Sequence, residues 1–328
     1  MRHKLIPGVV LAVMMALSGA GKAHADGLTI NAVYDPSVTP AEQAVIQNAI
    51  GFYESTFSNP ISVGITFTAF QPTNNLIGQS QWPGYSPTLY SQFQAALAAA
   101  SSGDATDTTA LANLPAATPT SDGTVYVKPA DAAALGLGPS TVTGNIVRIY
   151  MDATPTGGCD PTVYYCYNLE TVVEHEINEV LGLGSGAGFG LTLPEDMFRY
   201  NAGGQLSYYA NGGTGNTGNA YFSLNGTTDL AQFDNQNDGG DFGDWQSQPL
   251  PNAAQVQDAW LTPCAYGPAA ACTGVTMTRD STETTALDAI GYNLQPPAET
   301  PEPASLWLMS GGLLLLLGLA WRRERNAH

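Results

Sequence analysis

The stretch Asn168–Gly182, NLETVVEHEINEVLG, constrains the architecture more than any other part of this 328-residue chain. Leu169, Val172, Val173, Ile177, Val180 and Leu181 recur at helical spacing and form one apolar face. Asn168 suits the N-cap, and Gly182 can close the helix in a left-handed turn. Residues four apart share a helix face, so His175 and Glu179 can hold one metal ion together. Glu176 lies beside them as a base for water, and Glu170 and Glu174 add further acid.

Both ends of the chain stand apart from the fold. Residues 1–25 combine Arg2 and Lys4, a short apolar run and the small-x-small site Ala23-His24-Ala25, the pattern of a cleaved secretory signal. At the other end, Pro301-Glu302-Pro303 precedes an apolar run at 304–321 long enough to cross a bilayer, and Arg322, Arg323 and Arg325 follow it. Residues 299–328 resemble the PEP-CTERM sorting tail of Gram-negative bacteria. The resemblance implies export, a membrane stay through the tail helix, processing by an exosortase, and delivery to the cell envelope, cell surface or extracellular matrix.

The ectodomain, residues 26–298, is expected to be a single α+β domain with a loop-rich second half. Residues 26–300 hold four of the ten basic residues but 26 of the 28 acidic ones. So acidic a surface argues against nucleic acid or anionic membrane as a partner. Of the four histidines, His3 and His24 fall in the leader and His328 in the tail, which leaves His175 alone in the mature domain. Cys159, Cys166, Cys264 and Cys272 make an even set in an exported chain and point to disulfides. Three pairings are open, and Cys159–Cys166 with Cys264–Cys272 is the simplest.

Local signals place most elements. A first strand is expected over Gly27–Tyr34, and a helix from Pro40 to Thr56 with a capping box of Thr39 and Glu42. Strands follow at Ile61–Phe70, Val125–Val127 and Asn145–Met151, and helices at Thr88–Ala100, Pro129–Leu135 and Thr282–Ile290. The Asn-, Gln- and Pro-rich segment after Phe70 reads as loop, and 101–123 as loop with room for a short helical turn. Asn225-Gly226 marks a hairpin turn between Tyr221–Leu224 and Thr227–Phe233.

The helix motif His175-Glu176-x-x-Glu179-x-x-Gly182-x-x-Ser185 resembles the zincin metalloproteases, whose helix carries H-E-x-x-H, and their metzincin branch, which continues with x-x-G-x-x-H. His175, Glu176 and Gly182 match, whereas Glu179 and Ser185 stand at the second and third histidine positions. The resemblance implies a zincin-like mixed sheet with an active-site helix, zinc or another divalent metal, and hydrolysis of peptide or protein substrates. His175 and Glu179 would ligate, Glu176 would be the general base, and the strand at Asn145–Met151 would pair with the substrate backbone. For the third ligand, Asp196 is the leading choice and Glu195 the alternate, because the glycine-rich loop before them can bring them back to the helix. Met277 would lie beneath the metal. Similar exported proteins pair the helix with segments like Asp196-Met197-Phe198-Arg199-Tyr200 and Gly243-Asp244-Trp245.

Asp234, Asp238, Asp241 and Asp244 offer calcium ligands in an incomplete loop that lacks the closing glutamate of an EF-hand. The competing functional class is a non-catalytic zincin-like interaction protein of the extracellular matrix, which keeps the helix for structure.

Overall fold

The computed structural model describes residues 27–70, 76–150, 153–154, 167–208, 219–235, 239–247, 254–261 and 274–296. The leader 1–25, the tail with its expected span 304–321, and all four cysteines lie outside them. Among the described residues no helix is long and apolar enough to cross a membrane.

The first half runs β1 (Thr29–Tyr34), α1 (Pro40–Thr56), β2 (Ser62–Phe70), β3 (Gly78–Gln81), β4 (Ser86–Leu89), α2 (Tyr90–Ala100), α3 (Ala105–Asn113), β5 (Thr124–Val127), α4 (Pro129–Ala134) and β6 (Thr141–Tyr150). There follow β7 (Ala153–Thr154), β8 (Tyr167–Asn168), α5 (Leu169–Leu181), a 3₁₀ turn at Pro194–Phe198, β9 (Arg199–Tyr200), β10 (Tyr221–Phe222), β11 (Ala231–Gln232) and α6 (Thr282–Ile290). The main sheet is mixed, in the order β1-β2-β6-β3. β1, β2 and β6 are parallel, and β3 runs antiparallel to β6 at the edge.

Local chemistry explains the early elements. The Thr39 hydroxyl accepts from Glu42 N at 3.3 Å while Glu42 accepts from Thr39 N at 2.6 Å, completing the capping box that starts α1. Ile46, Ala49, Ile50 and Tyr53 form the buried face of α1, and α1 lies alongside α5 against the sheet.

The fold departs from expectation in four places. Gly78–Gln81 is a strand where a loop was expected. It pairs with Ile146–Ile149, and its outward side chains Gln79 and Gln81 each accept from the Arg148 guanidinium at 3.0 Å. The strand at Asn145–Met151 is therefore interior rather than an edge, and β3 takes the edge beside α5. Residues 105–113, where at most a short helical turn is expected, form the nine-residue helix α3, capped by Asp104 accepting from Asp107 N at 3.0 Å. Thr88 belongs to β4, so α2 begins at Tyr90. The hairpin is present, but β10 and β11 pair only at Tyr221–Gln232 and Phe222–Ala231, with an eight-residue loop between them.

All six apolar residues of α5 are buried as its periodicity demands, and so are Glu174, Glu176 and Asn178. α1, β3, β6, α4 and α6 all touch the helix and leave it little open face. Burial of Glu174 and Asn178 is offset by specific partners. Tyr53 Oη lies 2.8 Å from both Glu174 O and Asn178 Oδ1, which share its one proton, and Met277 N donates to Glu174 Oε2 at 2.7 Å. Gly182 ends the helix at φ 153°, where a Cβ would come within 2.7 Å of Ile290 Cδ1.

Candidate metal centre

His175 is held through Nδ1 on one side and faces Gln257 and two carboxylates through Nε2 on the other. Its Nδ1 lies 3.0 Å from the Val256 carbonyl, which can only accept, so Nδ1 carries the proton. That leaves Nε2 as an acceptor pointing at two carboxylates: Asp244 Oδ1 at 3.6 Å and Glu179 Oε1 at 3.9 Å. One ligand atom from each of the three residues lies within 4.8 Å of the others. Donors bound at about 2.0–2.2 Å to one ion sit roughly 3–4 Å apart, so the grouping fits a single metal. A histidine whose second nitrogen is anchored on a carbonyl is the usual support for an imidazole ligand.

The third member of the cluster is Asp244, and Asp196 is placed elsewhere. Asp196 is buried and its oxygens are taken by Ser185 Oγ at 2.5 Å, Gly186 N at 2.9 Å and Leu193 N at 2.8 Å. It ties down the glycine-rich loop that sequence reasoning expected to deliver it. Glu195 is likewise buried and accepts from Gly184 N at 2.5 Å. Met277 is buried beside the helix, its sulfur 3.6 Å from Asn178 Nδ2. Of the four acids read as calcium ligands, Asp238 lies outside the described residues and Asp244 turns to His175.

Gln257 is a site residue that the sequence did not flag. Its Nε2 donates to Asp244 Oδ1 at 2.9 Å and lies 3.2 Å from His175 Nε2. The amide is oriented from behind: Asn178 Oδ1 accepts from Tyr53, so Asn178 Nδ2 donates to Gln257 Oε1 at 3.2 Å. A relay of four side chains thus runs from α1 to Asp244. Outer partners of this kind typically carry 10- to 100-fold in metal affinity. Gln257→Leu is therefore expected to weaken metal binding by that order, read by competition with a chelating dye.

The frame that brings Asp244 to α5 uses close backbone approach and one buried cation. A Cβ on Gly243 would come within 2.4 Å of Gly184 Cα, so only glycine lets the two loops touch here. Trp245, next in the chain, is fully buried between Phe222 and Phe233, with ring centroids 5.6 and 5.0 Å away. Arg199, also fully buried, donates to Phe242 O and Asn235 Oδ1 and sits 4.2 Å over the Phe233 ring. The two segments singled out from similar exported proteins thus build the loop that carries Asp244.

Charge in the site is concentrated and costly. Burial, then the charges of Glu179 and Asp244, push the Glu176 carboxyl well above its ordinary range. Burial and Glu179 do the same to Asp244, with a further contribution from Asp241. Glu176 Oε2 is buried without a hydrogen-bond partner, and a Cβ on Gly78 would lie 2.2 Å from Glu176 Oε1. The nearby cation is Lys128, whose Nζ is spent on Glu179 O at 2.8 Å and Leu183 O at 2.5 Å, 3.8 Å over the Trp82 ring. A divalent ion would relieve the mutual repulsion of these carboxylates, so the donor set and its electrostatics both fit a metal.

The cluster opens into a cleft of about 340 Å³ lined on one side by Leu76–Ser80 and on the other by Asp241, Asp244 and Trp260. Phe189 and Trp260 are exposed at its rim. Ser80 Oγ donates to Glu179 Oε2 from β3.

Beyond the site, the family signature of the PEP-CTERM protein-sorting motif matches residues 299–325. The chain therefore carries a sorting signal of exported cell-envelope proteins, typical of Gram-negative bacteria and processed by an exosortase. No curated protein matches the chain. No solved structure matches it either.

Proposed function

We propose that this chain is an exported metal-dependent peptidase with a zincin-like plan. The observation that carries the reading is the convergence of His175 Nε2, Glu179 and Asp244 on one point beside the buried carboxyl of Glu176. These three residues would hold zinc or another divalent ion. One imidazole and two carboxylates make a harder set than three imidazoles, so manganese and similar ions compete well. The ion supplies Lewis acidity toward a carbonyl and toward water.

The chain's own groups supply the rest. Glu176 takes the proton from the attacking water and returns it to the leaving amine. Among the described residues no strand pairs with the outer edge of β3, which lines the cleft and would offer backbone N–H and C=O groups to an extended peptide. Before processing, the apolar run at 304–321 would hold the protein at the membrane.

A second reading rests on Gln257. Its amide bridges His175 and Asp244, which holds the cluster together with no ion and suits a non-catalytic interaction module of the envelope. Metal analysis of the purified chain separates the two. The peptidase reading requires a stoichiometric transition metal that His175→Ala removes together with peptide hydrolysis. Absence of such a metal, unchanged by His175→Ala, would leave the non-catalytic reading standing.

A further inference from the structure

A second group of acids lies between the start of α3 and α6. One carboxylate oxygen from each of Asp104, Asp107 and Asp288 falls within 4.8 Å of the others. Two are set by local turns that use one oxygen each. Asp104 Oδ1 caps α3 by accepting from Asp107 N at 3.0 Å. Asp107 Oδ2 accepts from Ser102 N at 2.6 Å, Ser102 Oγ at 2.8 Å and Gly103 N at 3.2 Å. These bonds fix the two side chains and leave Asp104 Oδ2 and Asp107 Oδ1 outside them.

Asp288 comes from the other element. It is fully buried, and neither of its oxygens meets a donor in hydrogen-bonding geometry. The Thr106 hydroxyl and the Asp104 carboxylate are its polar neighbours. A buried acid facing two more carboxylates keeps its proton when no ion is bound, its pKa pushed up to about 8 by burial and by Asp104 and Asp107, and ionises when a cation sits among the three. No side chain supplies one, because the four basic residues of 26–300 are engaged elsewhere. Lys128 binds the end of α5, Arg148 binds β3, Arg199 binds Phe242 and Asn235, and Arg279 binds Gln295 O.

We propose that Asp104, Asp107 and Asp288 form a calcium site that clamps the start of α3 to α6. All the ligand atoms are hard carboxylate oxygens, with no nitrogen or sulfur, which favours calcium over zinc. The chain is exported, and extracellular calcium modules work at roughly 10⁻⁴–10⁻³ M. The clamp also reaches the metal centre. Glu283 on α6 accepts from Trp245 Nε1 at 3.1 Å and from Gln257 N at 3.0 Å, so fixing α6 fixes the segments that hold Asp244 and His175.

The test is calcium titration of the full chain carrying Glu179→Gln and Asp244→Asn, which removes the carboxylates of the cleft cluster as competing calcium ligands. Calorimetry and thermal melting are followed in parallel. The expected result is saturable binding below a few millimolar calcium with a rise in melting temperature. Asp288→Asn should abolish both while leaving the calcium-free protein folded, since the amide stands in for the protonated acid. Asp104→Asn, which keeps the cap, should weaken calcium binding at least tenfold and decides the matter if the Asp288 variant does not fold. A parent protein that ignores calcium, or variants that respond as the parent does, would overturn the site.

Discussion

Glu176→Gln is expected to lower kcat/KM for peptide hydrolysis by about 10³-fold, the middle of the range for a positioned general base, while leaving metal content unchanged. Glu176 is not among the three residues whose ligand atoms converge, so its loss removes no ligand. The amide is nearly isosteric with the carboxyl and fits the same space against Gly78. It also carries no charge. Glu176 is buried next to Glu179 and Asp244, which is why its proton is held so tightly. The neutral variant should therefore melt at the same temperature as the parent or higher. Activity and stability move in opposite directions, and a residue needed only for packing does not behave so. Equal peptidase activity in the two proteins would refute the role given to Glu176.

The sequence made the helix plain and the third member of the cluster obscure, for physical reasons. α5 was readable because its apolar residues repeat at 3.6 and its ends carry an asparagine and a glycine. His175, Glu176 and Glu179 share that helix, so one period fixed their mutual placement. Asp244 arrives from 65 positions further on, through loops whose course depends on long-range contacts. Asp196 was the natural choice by proximity, yet a carboxylate preceded by a glycine loop is as well used to close that loop as to leave it. The signal for Asp244 was present in Gly243-Asp244-Trp245: a residue that permits close approach, a charge, and a side chain large enough to anchor in a core. Gln257 gave no signal at all, since a glutamine in an irregular stretch carries neither period nor charge. β3 was missed because Gly78–Gln81 has poor strand propensity, and its pairing with β6 is a tertiary effect.

Trp245→Ala should produce the largest loss of stability, and it should cost metal binding as well. Trp245 is fully buried, packs on Phe222 and Phe233, and donates its indole N–H to Glu283. Removing such a side chain costs about 3–5 kcal/mol through lost burial and the cavity left behind. The lost bond to the buried Glu283 adds roughly 1–3 kcal/mol. Trp245 also holds the backbone on both sides of the site, donating to Gln257 O at 2.8 Å and accepting from Ala259 N at 2.9 Å. A cavity at 245 therefore loosens Asp244 and the Gln257 amide together. Trp245→Phe refills most of the space but not the hydrogen bond, so it should fall between the two. Urea unfolding followed by circular dichroism gives the stabilities, and dye competition gives the metal affinities of whatever remains folded. The two losses should rank alike, parent above Phe above Ala. A Trp245→Phe protein that is destabilised yet binds metal as tightly as the parent would show that Asp244 is placed without its neighbour, or is not a ligand.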